Sequence, residues 1–325
     1  MGLTNSVNTD GVLESVSEND LPESVLPILD TYDDVLGDRD RLFWQWLDDL
    51  FPAFTLSCVD PQSAEEVRLA KLLVSLLVTV IDDVAEKHDD RVTFAEAATV
   101  PIDRECERVR TRGDEAVVAF VETLWDAFEE RFAGPRAAEF EALLQFDLKQ
   151  VIDAIDYSQL INRNLNALNE RELWVHDVHN MAVFVYADID LAYSPSFDAT
   201  ELSALRAVVW HTERIARICN WIATWERELH EGDCSSGLLA YARDANIVSL
   251  RELQTLRADP CPANVLPVVG AVKDHDVETV FLQRLEEEFE AVSAAGDVIE
   301  SIDVDSYLDG FEVVRQYHVT GKELL

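Results

Sequence analysis

Leu72-Leu73-Val74-Ser75-Leu76-Leu77-Val78-Thr79-Val80-Ile81-Asp82-Asp83-Val84-Ala85-Glu86 is an apolar run, broken only by Ser75 and Thr79, that ends in three carboxylates. The ten residues Leu72 to Ile81 fall well short of the ~20 that cross a bilayer. They are apolar on nearly every side, which a helix needs only when other helices surround it. Asp82 and Glu86, four apart, share one face, and that face continues back through Thr79 or Val78 to Ser75. A buried helix thereby delivers Asp82, Glu86 and the adjacent Asp83 to one place, below small side chains suited to border a cavity. The acidic string has little weight of its own: with 64 Asp+Glu in 325 residues, D-D-x-x-[DE] is expected about once by chance. A solvated helix end would give the same residues.

Outward from this run the pattern stays helical. Asp40 to Phe51 sets Leu42, Trp46 and Leu50 one turn apart, Ser63 to Asp90 is one long segment, and Asp114 to Phe132 repeats apolar residues at Val118, Val121, Trp125 and Phe128. Further helices are expected over Pro135 to about Asn169, Glu172 to Ala192 and Ala199 to Glu231. A shorter pair over Ser235 to Leu256, then Glu278 to Ala295 and Val304 to Val319, complete the set. Gly134-Pro135, Ser194-Pro195, Gly232-Asp233, Pro260 with Pro262, and Gly296-Asp297 punctuate them. No segment alternates as a strand between hairpin turns. The spacing predicts a single all-α domain of roughly ten helices over 25–325, preceded by a flexible acidic leader over 1–24.

Composition excludes several functions. The formal charge of −38 argues against a nucleic-acid or anionic-membrane surface, while 48% hydrophobic residues supply a sizeable core. Cations are mostly Arg; the lysines are Lys71, Lys87, Lys149, Lys273 and Lys322. A Lys-poor acidic surface suits a halophilic protein, because at ~1 M salt the Debye length shrinks to roughly 3 Å and like charges no longer repel across the surface. Cys58, Cys106, Cys219, Cys234 and Cys261 lack a C-x-x-C pair and read as reduced thiols. The acidic N-terminus has no secretory pattern, so a cytoplasmic location is expected.

A second stretch is more specific. Asn220-Trp221-Ile222-Ala223-Thr224-Trp225-Glu226-Arg227-Glu228 places Asn220, Thr224 and Glu228 in a column on one helical face, offering an amide oxygen, a hydroxyl and a carboxylate. Hard oxygens in line form a half-shell for Mg²⁺, which completes its octahedron with water and substrate phosphate. For [ND]-x-x-x-[ST]-x-x-[KR]-E the chance expectation is on the order of 0.03 occurrences. A polar stripe with a surface Glu is the bland alternative.

With both stretches the chain resembles the class I terpene synthases, in which an Asp-rich motif and an (N/D)Dxx(S/T)xx(K/R)(E/D) motif face each other at the mouth of an apolar helical cavity. The match lies in Asp82, Asp83 and Glu86 for the first motif, and in Asn220, Thr224, Arg227 and Glu228 for the second. Trp221 replaces a frequent second Asp that is not a ligand. The resemblance implies a helical bundle around a central apolar cavity and Mg²⁺ held by Asp82, Asp83, Glu86, Asn220, Thr224 and Glu228, three ions in the substrate complex. Asp82, Asn220, Thr224 and Glu228 are the catalytic set it implies.

It further implies a diphosphate-sensing Arg on a broken helix, for which Arg171 is the nearest candidate, with Asp177, His179 and Asn180 in the switch region. Arg227 joins these as a substrate-binding candidate. An Arg-Tyr pair that closes over the diphosphate corresponds to Arg315 and Tyr317, with one residue inserted. His176 and His179 lack a third metal ligand and read as packing residues. Phe43, Trp46, Phe184, Tyr186, Trp221 and Trp225 are candidate cavity aromatics, each equally at home in a core.

The implied reaction is ionisation of a linear isoprenyl diphosphate of the farnesyl or geranylgeranyl class, then cyclisation or rearrangement with release of pyrophosphate, by a monomer or homodimer. Chain-elongating or head-to-head prenyltransfer on the same fold is the nearer alternative. A non-catalytic acidic helical binding protein is the more distant one.

Overall fold

A computed structural model describes residue 16, residues 20–102 and residues 113–320; side chains are described up to residue 318. Most of the expected leader and Cys106 lie outside the described residues. Fourteen α-helices and no strand are present among them. They are α1 (Leu26–Val35), α2 (Arg41–Leu50), α3 (Ala64–Glu86), α4 (Arg91–Ala97), α5 (Glu115–Arg131), α6 (Ala137–Arg163) and α7 (Glu170–Leu173). There follow α8 (Val183–Ala192), α9 (Leu202–Glu231), α10 (Gly237–Asp244), α11 (Leu250–Ala258), α12 (Pro262–Asp274), α13 (Val277–Gly296) and α14 (Val304–Thr320). Val16, within the expected leader, is fully buried. No helix among the described residues is long and apolar enough to cross a membrane, and Cys58, Cys219, Cys234 and Cys261 are free thiols.

Helix α3 is the axis of the bundle, as its composition requires. Sixteen of its 23 residues are buried, and it packs on α2, α4, α5, α6 and α8. Opposite it runs α9, 30 residues long, which packs on α8, α13 and α14. Local chemistry sets the ends. Asp40, Asp90 and Asp114 accept backbone N–H groups at the starts of α2, α4 and α5, and a capping box of Ser249 and Glu252 opens α11. Gly232, at φ +81°, ends α9 in the left-handed region.

The segment expected as one helix over Glu172 to Ala192 is broken. A 3-10 turn over Asp177–Met181 leads to Ala182 at φ 57°, ψ 20°, and only then does α8 begin. Fully buried Glu213 of α9 accepts the Phe184 N–H at 3.0 Å, so a distant carboxylate satisfies the helix start that the break exposes. Helices α1, α4 and α12 are additional to the expected set.

Helix α14 closes over the 3-10 turn Phe51–Phe54 at Gly310, where an added Cβ would stand 1.9 Å from the Ala53 carbonyl oxygen. That approach seats Phe311 on Phe54, ring centroids 5.5 Å apart. Gly310→Ala must push helix and turn apart, and we expect a cost of about 1–3 kcal/mol, read as a lowered denaturation midpoint. An unchanged midpoint would show the contact to be soft.

Candidate active site

The C-terminal halves of α3 and α9, the C-terminal third of α6, α2 with the Phe51–Phe54 turn, the broken segment with the start of α8, and α14 together enclose a cavity of about 490 Å³. Its polar side brings together the residues of both sequence motifs: Asp82, Asp83 and Glu86 from α3 face Asn220, Thr224, Arg227 and Glu228 from α9. Further polar groups, Arg39, Gln159, Asn162, Arg217 and Asp233 among them, surround these residues, and an apolar portion of the wall carries Phe43, Trp46, Phe51, Phe54, Tyr186, Trp221 and Phe311. Ser75 is the innermost α3 residue of the lining, about 10 Å along the helix from Asp82 at 1.5 Å per residue.

The carboxylates strain against one another. Burial first, then Asp83, pushes Asp82 up to about 7; burial and then Asp233 push Glu228 up to about 7 as well. Glu86, open to the cavity yet ringed by protein, is raised well above the usual range by the same desolvation and by Asp82, Asp233 and Glu228. Asp82 Oδ1 is buried without a hydrogen-bond partner. A cation placed among these carboxylates would relieve both the orphaned oxygen and the repulsion of like charges, and the donors are of the hard-oxygen type that suits Mg²⁺. Among the described residues no three His, Cys, Asp or Glu side chains converge closely enough to cage a metal alone; water and substrate oxygens would complete any ion held there.

Not every motif residue is equally placed. Asp83 is committed to a bidentate pair with Arg39 (2.7 and 3.1 Å) and to Lys87 at 3.3 Å, so it anchors α3 while Asp82 and Glu86 keep their oxygens toward the cavity. Thr224 Oγ1 donates to the Asn220 carbonyl at 2.9 Å, one turn back on its own helix. Arg227 pairs with Glu231 at 2.8 Å at the rim.

Several expected substrate contacts lie elsewhere. Arg171 is exposed on a one-turn helix and is not part of the lining. Arg315 pairs with Glu286 and Glu312, and the Tyr317 hydroxyl donates to Asp49; neither faces the cavity, because the inward face of α14 carries Phe311, Val314 and His318. Of the switch-region candidates, Asn180 lines the cavity. Asp177 is fully buried behind it against Arg217, and His179 packs on Phe184 and Trp210. Phe184 lies beneath Arg206, 4.6 Å away, rather than on the lining. Trp225 turns outward to donate to Glu278 at 2.7 Å. Phe43, Trp46, Tyr186 and Trp221 do line the cavity. His176 stacks near Tyr157, consistent with a packing role.

The lining includes residues to which the sequence motifs do not point, Arg217, Asp233 and His318 among them. Arg217, one turn before Asn220, is buried in the wall; its Nε donates to Asp177 at 2.8 Å and its Nη1 to Asn220 Oδ1 at 2.8 Å. The signal was an Arg between Ala216 and Ile218 on an apolar face. Asp233 follows Gly232 and accepts from Asn162 and Ser235 at 2.9 and 2.7 Å; in the sequence it marks only a turn.

Known proteins bear on the fold alone. No family profile matches the chain, and no curated protein sequence matches it. Among solved structures, T. brucei farnesyl diphosphate synthase superposes with a TM-score of 0.50 over 95% of each chain at 11% identity. The bundle has the isoprenoid-synthase fold. At that identity the likeness carries the helical architecture and no residue assignment.

The raised carboxylates predict a pH dependence. A carboxylate whose folded value is near 7, against ~3.9 in the unfolded chain, binds more protons folded than unfolded between those values. Stability therefore falls as pH rises through that window. The metal-free wild type should lose stability relative to Asp82→Asn between pH 4 and 7, by about 1–3 kcal/mol, and Mg²⁺ alone should restore the wild type above pH 7 and not the variant. A pH-independent gap between the two proteins would contradict this.

Proposed function

We propose that the protein is a Mg²⁺-dependent class I terpene synthase, ionising one linear isoprenyl diphosphate of the farnesyl or geranylgeranyl class and cyclising or rearranging the cation. The observation that carries the reading is the convergence of both oxygen-bearing columns on one cavity that also presents a group of aromatic rings.

Each part of the wall has a task. Asp82 and Glu86 on one side, and Asn220, Thr224 and Glu228 on the other, would hold Mg²⁺; bound there, the ions neutralise the diphosphate and stabilise the charge that grows on the leaving pyrophosphate. Arg217 holds Asn220 Oδ1 through one lone pair, which would leave the second for an ion, and Asp177 fixes Arg217. Asn180, also on the lining, would meet a diphosphate oxygen. The apolar wall excludes water from the allylic cation, and each well-placed ring contributes roughly 0.5–2 kcal/mol of cation–π stabilisation. A chain whose diphosphate is held at the carboxylates would meet rings from several helices at once, which would favour a folded conformation of the kind ring closure needs.

Prenyl condensation would require a second diphosphate site. The six Arg and Lys residues of the lining, Arg39, Lys87, Arg163, Arg217, Arg227 and Arg257, are each already engaged by a carboxylate or a carbonyl, which favours a single substrate. The test is incubation with Mg²⁺ and single prenyl diphosphates of increasing length at high salt. A hydrocarbon or alcohol with pyrophosphate is the expected outcome. Longer diphosphates formed only with isopentenyl diphosphate would replace this reading with elongation, and no pyrophosphate from any substrate would leave a binding protein.

A further inference from the structure

The carbocation left in a dry cavity has to lose a proton before a neutral alkene can leave, and the wall contains one side chain built to take it. We propose that His318 is the catalytic base that ends the reaction, its Nε2 lone pair accepting a proton from the carbon next to the final cationic centre. The inference rests on the ionisation reading above. The C–H electron pair becomes the new C=C bond, His318 becomes imidazolium, and the proton passes to water or to pyrophosphate when the cavity opens.

Three observations support the assignment. Of the seven histidines, His318 is the one on the cavity lining, beside Phe311 and Val314 on the inward face of α14. Its Nδ1 lies 2.9 Å from the Val314 carbonyl oxygen. A carbonyl only accepts, so Nδ1 carries the hydrogen and Nε2 is left as a bare lone pair. Among the described residues Nε2 has no hydrogen-bond partner. Trp46 holds the ring edge-on, centroids 5.7 Å apart, which fixes its orientation.

Burial pushes the imidazole down to about 4 with no charged neighbour involved. The base therefore stays neutral at working pH and does not add a positive charge beside a forming cation. Weak basicity is no obstacle, because a carbocation is an exceedingly strong acid at its neighbouring C–H bonds. It also lets His318 shed the proton once water returns.

Other polar groups on the wall fit the role less well. The Tyr186 hydroxyl and Ser75 Oγ are spent on each other at 2.8 Å, and Ser75 also donates to the Lys71 carbonyl at 2.7 Å. The carboxylates are gathered where the diphosphate binds.

The test compares wild type with His318→Phe, which fills the space without a base, and His318→Gln, which keeps a polar group able to bond Val314; each is first shown to unfold cooperatively near the wild-type temperature. Single prenyl diphosphates are supplied with Mg²⁺, and pyrophosphate release and the product spectrum are measured in parallel. Release should stay within about threefold, since ionisation precedes the proton transfer, while the main alkene gives way to earlier-quenched alkenes or alcohols in both variants. An unchanged product spectrum at unchanged release would overturn the assignment of His318 alone. Absence of pyrophosphate from the wild type would overturn the ionisation reading and this inference with it.

Discussion

Glu228→Gln is expected to reduce pyrophosphate release by at least ~10²–10³-fold, the scale on which loss of one electrostatic partner of a transition state is felt, while the protein stays folded. Gln has the shape of Glu but replaces one oxygen with an N–H₂ group that cannot ligate a cation. Glu228 makes no ion pair that holds the fold together beyond a loose 3.8 Å approach to Arg227; burial and Asp233 outweigh the favourable influence of Thr224, Arg217 and Arg227 on its charged form, and Glu86 is of its own sign. Removing it relieves repulsion, so thermal unfolding of the metal-free variant should match or exceed the wild type. Asn220→Ala should lose turnover comparably, since it deletes the oxygen that Arg217 presents, while Arg217 keeps Asp177. Pyrophosphate release near the wild-type rate in either variant would detach the α9 column from the chemistry. Unfolding of both would make these groups structural.

That column was legible because its spacing is local. Asn220, Thr224 and Glu228 follow one helix at i, i+4 and i+8, so the sequence shows which side chains share a face, and the apolar run of α3 shows which helix is surrounded. What faces them was not legible in the same way. Ala182 adopts a left-handed conformation that alanine does not advertise, and the helix start after it is satisfied by Glu213, 29 residues beyond Phe184. The segment before it therefore read as one helix. Helix α12 was hidden by Pro260 and Pro262, taken as a break, whereas proline at the first helical position is a start. On α14 the expected Arg315 and Tyr317 rotate outward because Gly310 and Phe311 fix the face that meets the Phe51–Phe54 turn; the same rotation brings His318 inward. Arg217 is readable in principle, three residues before Asn220, but its value depends on Asp177, which the 3-10 turn before α8 brings against it. Sequence periodicity fixes faces within a helix, and tertiary packing decides which faces meet.

Lys71→Met is expected to be the most destabilising single change in the bundle. Lys71 is fully buried on α3, with Nζ 2.8 Å from Asp190 Oδ1 of α8 and 3.2 Å from Thr55 Oγ1, and 5.1 Å from the Phe54 ring centre. Asp190 is equally buried and accepts the Leu56 N–H at 2.9 Å. Burial lowers the Lys71 value and raises that of Asp190, each partly opposed by the other's charge, so neither charge is tolerable alone. Met fills the stem of Lys but strands the Asp190 carboxylate, and breaking a buried pair from one side costs about 3–5 kcal/mol. That corresponds to a midpoint lower by on the order of 10 °C. The stranded carboxyl escapes part of the penalty by taking up a proton, so the gap between variant and wild type should widen as pH rises through its elevated value. Lys71→Met with Asp190→Leu, which removes both charges, should recover most of the loss, because an apolar pair of similar volume has no charge to desolvate. If the double variant unfolds no later than the single one, the pair is not what joins α3 to α8, and the seat of Phe54 and Tyr186 in the aromatic wall must come from packing alone.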